Sequence, residues 1–438
     1  MKWSIYNELI ERTEDKKVIY LFNSLRKKYF TLDYKLKDIV LAGSNNTSVI
    51  AHVHPELYEY MTSEMFIIPD DMDEVKECVQ TINQKFSSDA HLRITINPTL
   101  DCNLRCWYCY ERHLKGSCMK ASTIEAILKF IETKAHSNSL KKVHLSFFGG
   151  EPLLKYSKVV KPIAKQCREI CNRFNKLFVL SFTTNGVCLA PAIVNELTQF
   201  SREVYVQIAF DGNRALHDSV KCFENGTGCY DIVKNHIIYA INKGVMTTIR
   251  CNYTLANLES FGELIDDFKP FWHYPNVRFS FHQVWQESNS KELSAKRQSI
   301  THKILKTGIK TNIDSFYGEG LVPCYANFDN NIVVNYNGDI YKCTARDFRP
   351  EHRLGKIEAS GEIIYNDILT KWKEARFTNQ CFTCKFLPIC TICFQQRSES
   401  IDGNCPDPRT RKNASLNIKK YFYDVIALNE KKRAQTTD

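Results

Sequence analysis

CNLRCWYC, residues 102–109, gathers three cysteines, Cys102, Cys106 and Cys109, into eight positions. Three is an odd number for disulfides and one short of a closed four-ligand metal site. Thiolates are the soft ligands that hold iron–sulfur clusters. A four-iron cluster held by three cysteines keeps one iron open to a small molecule, and an open position is what separates a catalytic metal site from a structural one. The loop directly follows the strand-like run LRITI (92–96).

Outward from this loop the chain alternates. Strand-like runs recur as VHLSF (143–147), FVLSFTT (178–184), VYVQIAF (204–210), MTTIRCNY (246–253) and VRFSF (277–281). Helical patterns fall between them at 122–136, 157–173, 191–199, 230–243 and 257–268, the first with Ser122 and Glu125 spaced as a capping box. Strand, helix and strand repeated in this way imply parallel βα units, closed as a barrel or open as a sheet. The active site of such folds lies at the C-terminal ends of the strands. The cysteine loop leaves the first strand at that end.

The 438 residues predict two or three domains, and a hydrophobic fraction of 43% is ample for a buried core. A formal charge of +10 reads as a solvated basic surface more readily than as a nucleic-acid or acidic-peptide site. The charged start MKWSIYNELIERTEDKK has no apolar core of a secretory signal, and no run reaches the ~18 apolar residues of a membrane span. A cytoplasmic location without a membrane partner is therefore expected. In that reducing compartment eighteen cysteines read as metal ligands and buried thiols rather than disulfides. Residues 1–88 stand apart as a small α+β, winged-helix-like module, with a hairpin at 19–33 and helix, short strand, helix over 54–86. They carry no basic stripe, so peptide docking is expected there rather than nucleic-acid binding.

The C-x3-C-x2-C spacing, with Tyr108 before the last cysteine, resembles the radical SAM enzymes. That resemblance implies a partial (β/α)6 TIM-like barrel, here over 89–300, and a [4Fe-4S] cluster on Cys102, Cys106 and Cys109. The family's unique iron binds S-adenosylmethionine. Reduction, by a partner such as flavodoxin or ferredoxin, yields a 5′-deoxyadenosyl radical that takes a hydrogen atom from substrate. Further motifs close successive strands: GGEP (149–152), TTNG (183–186), AFDG (209–212) and RCN (250–252). By the resemblance Tyr108, Gly149, Gly150, Glu151, Thr184, Asn185, Asp211, Arg250 and Asn252 surround S-adenosylmethionine. The glycines admit close backbone approach, Glu151 meets the ammonium and Arg250 the carboxylate. Ala209 stands where relatives often carry serine.

A second cysteine group, Cys324, Cys343, Cys381, Cys384, Cys390, Cys393 and Cys405, resembles the SPASM domain, expected over 315–420. The resemblance implies one auxiliary [4Fe-4S] cluster on Cys381, Cys384, Cys390 and Cys405. A second, on Cys324, Cys343 and Cys393, has one iron without a cysteine. Three [4Fe-4S] clusters are expected in all. Zinc is the alternative for paired C-x2-C spacings.

SPASM enzymes mostly modify peptides. The sulfatase-maturating branch carries aspartate after the second SPASM cysteine, where this chain has Thr344. The expected function is therefore maturation of a ribosomally made precursor peptide, its leader bound by the N-terminal module, by a thioether or carbon–carbon crosslink. The alternatives are formylglycine generation, epimerisation, and an iron–sulfur recruitment protein without catalysis. His282, Tyr336, Arg346 and Asp347 are the candidates for a catalytic base.

Overall fold

The computed structural model describes residues 1–11, 17–312, 324–345, 348–400 and 403–423, without the side chains of 409 and 410. Arg346 and Asp347 lie outside the described residues. The chain divides into two compact units: Met1–Ser87 with Ser315–Phe328 and Lys371–Asp438, and Ser88–Asp314 with Asp329–Thr370. The segment expected as one C-terminal domain, 315–420, is shared between them.

The second unit contains the six predicted strands as β1 (His91–Ile96), β2 (Lys142–Phe147), β3 (Leu177–Thr184), β4 (Glu203–Phe210), β5 (Met246–Tyr253) and β6 (Val277–Gln283). Each pairs in parallel with the next, in chain order. Helices α1 (Ala121–Ala135), α2 (Lys161–Arg173), α3 (Pro191–Phe200), α4 (Arg214–Val220), α5 (Tyr230–Asn242) and α6 (Phe261–Asp267) form the connections, and α7 (Lys291–Leu305) follows β6. This is a large parallel α/β sheet of the kind expected for a partial barrel.

Alternation along the strands explains the layering. Ile94 on β1, Leu145 and Phe147 on β2, Phe182 on β3 and Ile208 on β4 are buried in one core with Ile127 and Ile131 of α1 and Ile163 of α2. Side chains between them face the other way and are polar: Arg93, His144, Ser181, Gln207 and Arg250. A period of two thus gives one oily face for the helices and one polar face.

Two expectations are corrected. The capping box on α1 does not form. The helix starts at Ala121, its N-cap is Lys120, and Ser122 lies inside the first turn. The parallel sheet also extends past β1, because β7 (Asn331–Val334), read from sequence as part of the C-terminal cysteine-rich segment, pairs with it from Asn331 beside Arg93 to Val334 beside Ile96. All four of its residues are buried. Three short antiparallel strands, β8 (Asp339–Tyr341), β9 (Gly355–Ile357) and β10 (Ile363–Tyr365), continue that edge.

The first unit contains the hairpin expected at 19–33, as antiparallel strands Val18–Asn23 and Lys28–Asp33, with Asn7–Glu11 as a third strand. Helix Pro55–Ser63, strand Ile67–Ile68 and helix Glu74–Phe86 follow in the expected order. Phe22 and Ile10 pack with Phe386, Ile389 and Ile418, and Tyr6 and Cys78 pack with Cys381 and Leu387. The cysteine-rich C-terminal stretch and the N-terminal sheet therefore share cores. Among the described residues, no helix is long and apolar enough to cross a membrane.

His144 lies on the polar strand face with Nε2 2.8 Å from Ser181 Oγ. Burial, then Arg93, His91 and Lys142, push its pKa down to about 3. Between that value and the unfolded ~6.5 the unfolded chain binds a proton that the folded chain does not. Stability then falls as pH drops through this window, by up to ~1.4 kcal/mol per pH unit. His144→Gln is expected to flatten this slope in urea unfolding measured across pH. An unchanged slope would assign the acid limit to other groups.

Candidate functional site

The loop after β1 is held shut before it presents its cysteines. Thr99 Oγ1 donates to Ser117 O at 2.6 Å, and Leu100 N donates to Ser117 Oγ at 2.9 Å. Asp101 accepts from Cys102 N and Gly116 N, both at 2.9 Å. The loop then lies against the turn after β2. Gly150 N donates to Thr99 O at 3.2 Å and Glu151 N to Asp101 O at 2.8 Å. A Cβ on Gly149, at φ +111°, would stand 2.4 Å from Thr99 O, and one on Gly150 would stand 2.2 Å from Asp101 O. The close approach that these glycines permit is, in this structure, that of the cysteine loop itself.

Glu151 is fully buried. Its carboxylate accepts from Leu153 N at 3.0 Å, Thr184 Oγ1 at 2.7 Å and Asn185 N at 2.8 Å. Burial raises its pKa, and the donors from Asn185, Thr184 and Leu153 oppose that rise. Asn185 in turn donates from Nδ2 to Asn103 Oδ1 at 2.8 Å and lies 3.8 Å from Cys102 Sγ. The ends of β2 and β3 are thereby tied to the cysteine loop.

A second link crosses from the far strands. Arg250 Nε donates to Asn252 Oδ1 at 2.9 Å, and Asn252 Nδ2 donates to Tyr108 Oη at 3.1 Å. Lys221 Nζ donates to the same Oη at 2.9 Å and lies 3.4 Å from Cys106 Sγ. It also pairs with Asp211 at 3.4 Å, the two side chains being 5% and 1% exposed, so this is a buried ion pair. Burial pulls the Lys221 pKa down, but Asp211, Tyr108 and Cys106 outweigh it and hold the group well above its ordinary value. An ammonium therefore stands permanently against one of the three sulfurs.

Sequence reasoning missed Lys221. It lies in HDSVKC, just after α4, and no spacing or periodicity marks it. Only tertiary packing buries it. His113, 3.5 Å from Cys109 Sγ through Nε2, was also unmarked. Leu104 N donates to Cys102 Sγ at 3.5 Å. Three soft sulfur donors with N–H groups aimed at two of them form a donor set that fits an anionic iron–sulfur cluster. Of the proposed bases, His282 lies on β6 with Nε2 2.9 Å from Ser280 Oγ, and burial, then Arg250 and Arg278, push its pKa down to about 4. Tyr336 is half-buried against Leu100 and Val333.

In the first unit, Cys381, Cys384, Cys390 and Cys405 line a single cavity with Arg397 and Arg411. Arg397 Nη2 lies 3.3 Å from Cys390 Sγ. Cys324 and Cys393 belong to this unit and Cys343 to the other. Asn327, in the turn after Cys324, accepts from Phe394 N, next to Cys393, at 2.9 Å.

Lys221→Met leaves the Asp211 carboxylate buried without its cation and is expected to destabilise the protein by ~3–5 kcal/mol. Adding Asp211→Asn is expected to recover most of that loss in a double-mutant cycle read by urea unfolding. Additive losses would show that the pair does not couple.

The radical SAM superfamily model matches residues 96–268. An uncharacterised protein of Methanocaldococcus jannaschii is 25% identical over 274 residues, covering 58% of this chain and 85% of that protein. A cysteine-type anaerobic sulfatase-maturating enzyme of Clostridium novyi is 22% identical over 343 residues, 68% of this chain and 86% of its own length. A serine-type counterpart of Bacteroides thetaiotaomicron is 23% identical over 362 residues, 72% and 82% of the two chains. Among solved structures, anSMEcpe with bound AdoMet superposes with a TM-score of 0.56 at 19% identity, covering 76% of this chain and 96% of that one. Streptococcus suis SuiB bound to precursor peptide SuiA superposes at 0.52 and 16% identity, covering 93% and 99%. At these identities the structural likeness speaks for the fold. The family match coincides with the strand–loop–strand frame that holds Cys102, Cys106 and Cys109, and residues 96–268 of this enzyme are a radical SAM domain.

Proposed function

We propose that this enzyme is a peptide maturase that crosslinks a ribosomally made precursor peptide through a thioether or carbon–carbon bond. The observation that carries the reading is the three-cysteine loop at the C-terminal end of the parallel sheet, tied by Glu151, Asn185, Tyr108 and Lys221 to four strands or their connections. Cys102, Cys106 and Cys109 would hold the catalytic [4Fe-4S] cluster. Gly149, Gly150, Glu151, Thr184, Asn185, Asp211, Arg250 and Asn252 would surround S-adenosylmethionine. When bound, the pair supplies a 5′-deoxyadenosyl radical for hydrogen-atom abstraction. The residues of this chain do the rest: Lys221 keeps positive charge at Cys106, Tyr108 is oriented from both sides, and the polar strand face receives the peptide.

Cys381, Cys384, Cys390 and Cys405 would hold an auxiliary cluster, able to accept the electron that an oxidative crosslink releases. Zinc is disfavoured. Sulfurs around one tetrahedral zinc lie ~3.8 Å apart, given Zn–S bonds of ~2.3 Å. Among the described residues only His217, Asp218 and Cys229 bring three ligand atoms within 4.8 Å of one another. The N-terminal module would take the leader by adding a strand to its antiparallel sheet, a common peptide-recognition mode. SuiB, solved with its precursor peptide, supports a peptide substrate.

A second reading, formylglycine generation, is favoured by the sulfatase-maturating relatives. Thr344, in place of the aspartate of that branch, weighs against it.

Anaerobically reconstituted protein is expected to contain iron and sulfide rather than zinc, and to form 5′-deoxyadenosine from S-adenosylmethionine. Cys106→Ala is expected to lower that to background. Co-expression with a short peptide encoded beside it is expected to remove two hydrogens per crosslink by mass spectrometry. Unchanged mass with inverted chirality would replace crosslinking by epimerisation, and an aldehyde on a sulfatase peptide would establish the second reading.

A further inference from the structure

The first unit contains a groove that its own chain leaves unfilled. The turn after strand Val18–Asn23 forms one wall. Asn23 Oδ1 accepts from Leu25 N at 3.1 Å and from Arg26 N at 2.9 Å, and Arg26 pairs with Glu77, so the turn is fixed against helix Glu74–Phe86. Turn, helix and cysteine-rich stretch together enclose a cavity of about 130 Å³, lined by Leu25, Ile82, Leu387 and Phe394 among others. Phe86 lines it too, edge-to-face with Phe328 at 5.0 Å and with Phe394 at 5.1 Å. An apolar cavity of ~150 Å³ takes a guest the size of benzene, so this one has room for a single aliphatic side chain.

Lys27, Lys85 and Arg397 line the same cavity, and no carboxylate among the described residues does. Arg397 is committed to Arg376 O and to Cys390 Sγ. Lys27 and Lys85 are exposed, and neither has a carboxylate partner among the described residues. They lie close enough for Lys27 to add to burial in lowering the Lys85 pKa. A lone surface lysine needs no partner. Two of them at an unfilled apolar cavity are complementary to an acidic residue beside an apolar one. Lys27 also leads directly into strand Lys28–Asp33, the outer strand of its sheet, which pairs on one side, with Val18–Asn23.

We propose that this groove anchors the leader of the precursor peptide, an aliphatic side chain filling the cavity and a neighbouring carboxylate lying between Lys27 and Lys85. A leader that adds a strand along Lys28–Asp33 meets the groove at the Lys28 end. Main-chain pairing at a sheet edge supplies affinity with little regard to sequence, and pockets for side chains supply the selectivity. The groove gives the module that selectivity. The inference rests on the peptide-maturase reading and adds to it the chemistry of the leader.

The test uses the full-length reconstituted protein and three fluorescein-labelled peptides, of alternating leucine and glutamate, leucine and glutamine, and alanine and glutamate, read by fluorescence polarisation. The leucine–glutamate peptide is expected to bind about fivefold more tightly than the leucine–glutamine one, the scale of a partly exposed ion pair. It is expected to bind about tenfold more tightly than the alanine–glutamate one, for the apolar surface no longer buried. Lys27→Gln with Lys85→Gln is expected to remove the first preference. Ile82→Trp, which fills the cavity, is expected to remove the second, with Thr81→Trp at an exposed lining position taking its place if thermal unfolding shows Ile82→Trp to be misfolded. Equal binding of the three peptides overturns the inference, as does either preference surviving the variant that should remove it. A protein that dimerises and binds none of them gives the groove to a second copy and overturns it as well. Formation of 5′-deoxyadenosine is followed in the same preparation. Its presence without either preference overturns the groove and leaves the maturase reading standing. Both preferences without 5′-deoxyadenosine uphold the groove as a peptide site and overturn the maturase reading.

Discussion

One buried carboxylate holds the catalytic end of this enzyme together. Glu151 has no solvent contact, and each of its three hydrogen bonds comes from a segment that must stay in register: its own turn, the end of β3, and the start of the connection that follows. Its backbone N–H reaches the cysteine loop at Asp101. Removing a partner from a buried charged group costs more than the bond itself contributes, because the charge stays desolvated. The carboxylate is therefore tolerable only while its own turn after β2 and the end of β3 are both in place. Gly149 and Gly150 serve the same end, since a side chain at either would collide with the carbonyls of Thr99 or Asp101.

The loop thus fixed would still present bare sulfurs without a counter-charge. Lys221 supplies one from the opposite side, held by Asp211 and Tyr108. Hydrogen bonds and charge near sulfur are among the protein's levers on the potential of an iron–sulfur cluster. The same ammonium positions Tyr108, which Asn252 also holds, so the electrostatic and the orienting roles fall to one side chain. Polar strand residues then continue from this assembly down the face away from the helices.

Much of this was legible in the sequence, for definite reasons. The strands alternate apolar and polar residues, a period of two that reports burial on one face, and the motifs that close them carry glycine and amide residues where backbones must meet. Cysteine spacing marked the two thiol groups without any fold. What escaped depends on long-range packing. β7 is only four residues, NIVV, too short to show alternation, and its place beside β1 follows from a neighbour more than two hundred residues away. Lys221 looks like any surface lysine until Asp211 and Tyr108 close over it. The cap of α1 was misread because Ser122 and Glu125 match the capping-box spacing just inside the true start, whose N-cap is Lys120 with an extended backbone that ends the preceding loop.

The central claim is that Cys102, Cys106 and Cys109 hold a cluster with one iron left for S-adenosylmethionine. Electron paramagnetic resonance tests it most directly on a variant in which the seven cysteines from Cys324 to Cys405 are replaced, leaving only the first site. The account predicts a reduced [4Fe-4S] signal that changes on adding S-adenosylmethionine, with hyperfine coupling from isotope placed in its amino or carboxylate group. A cluster signal that ignores S-adenosylmethionine, or no cluster in protein that remains folded, would contradict it.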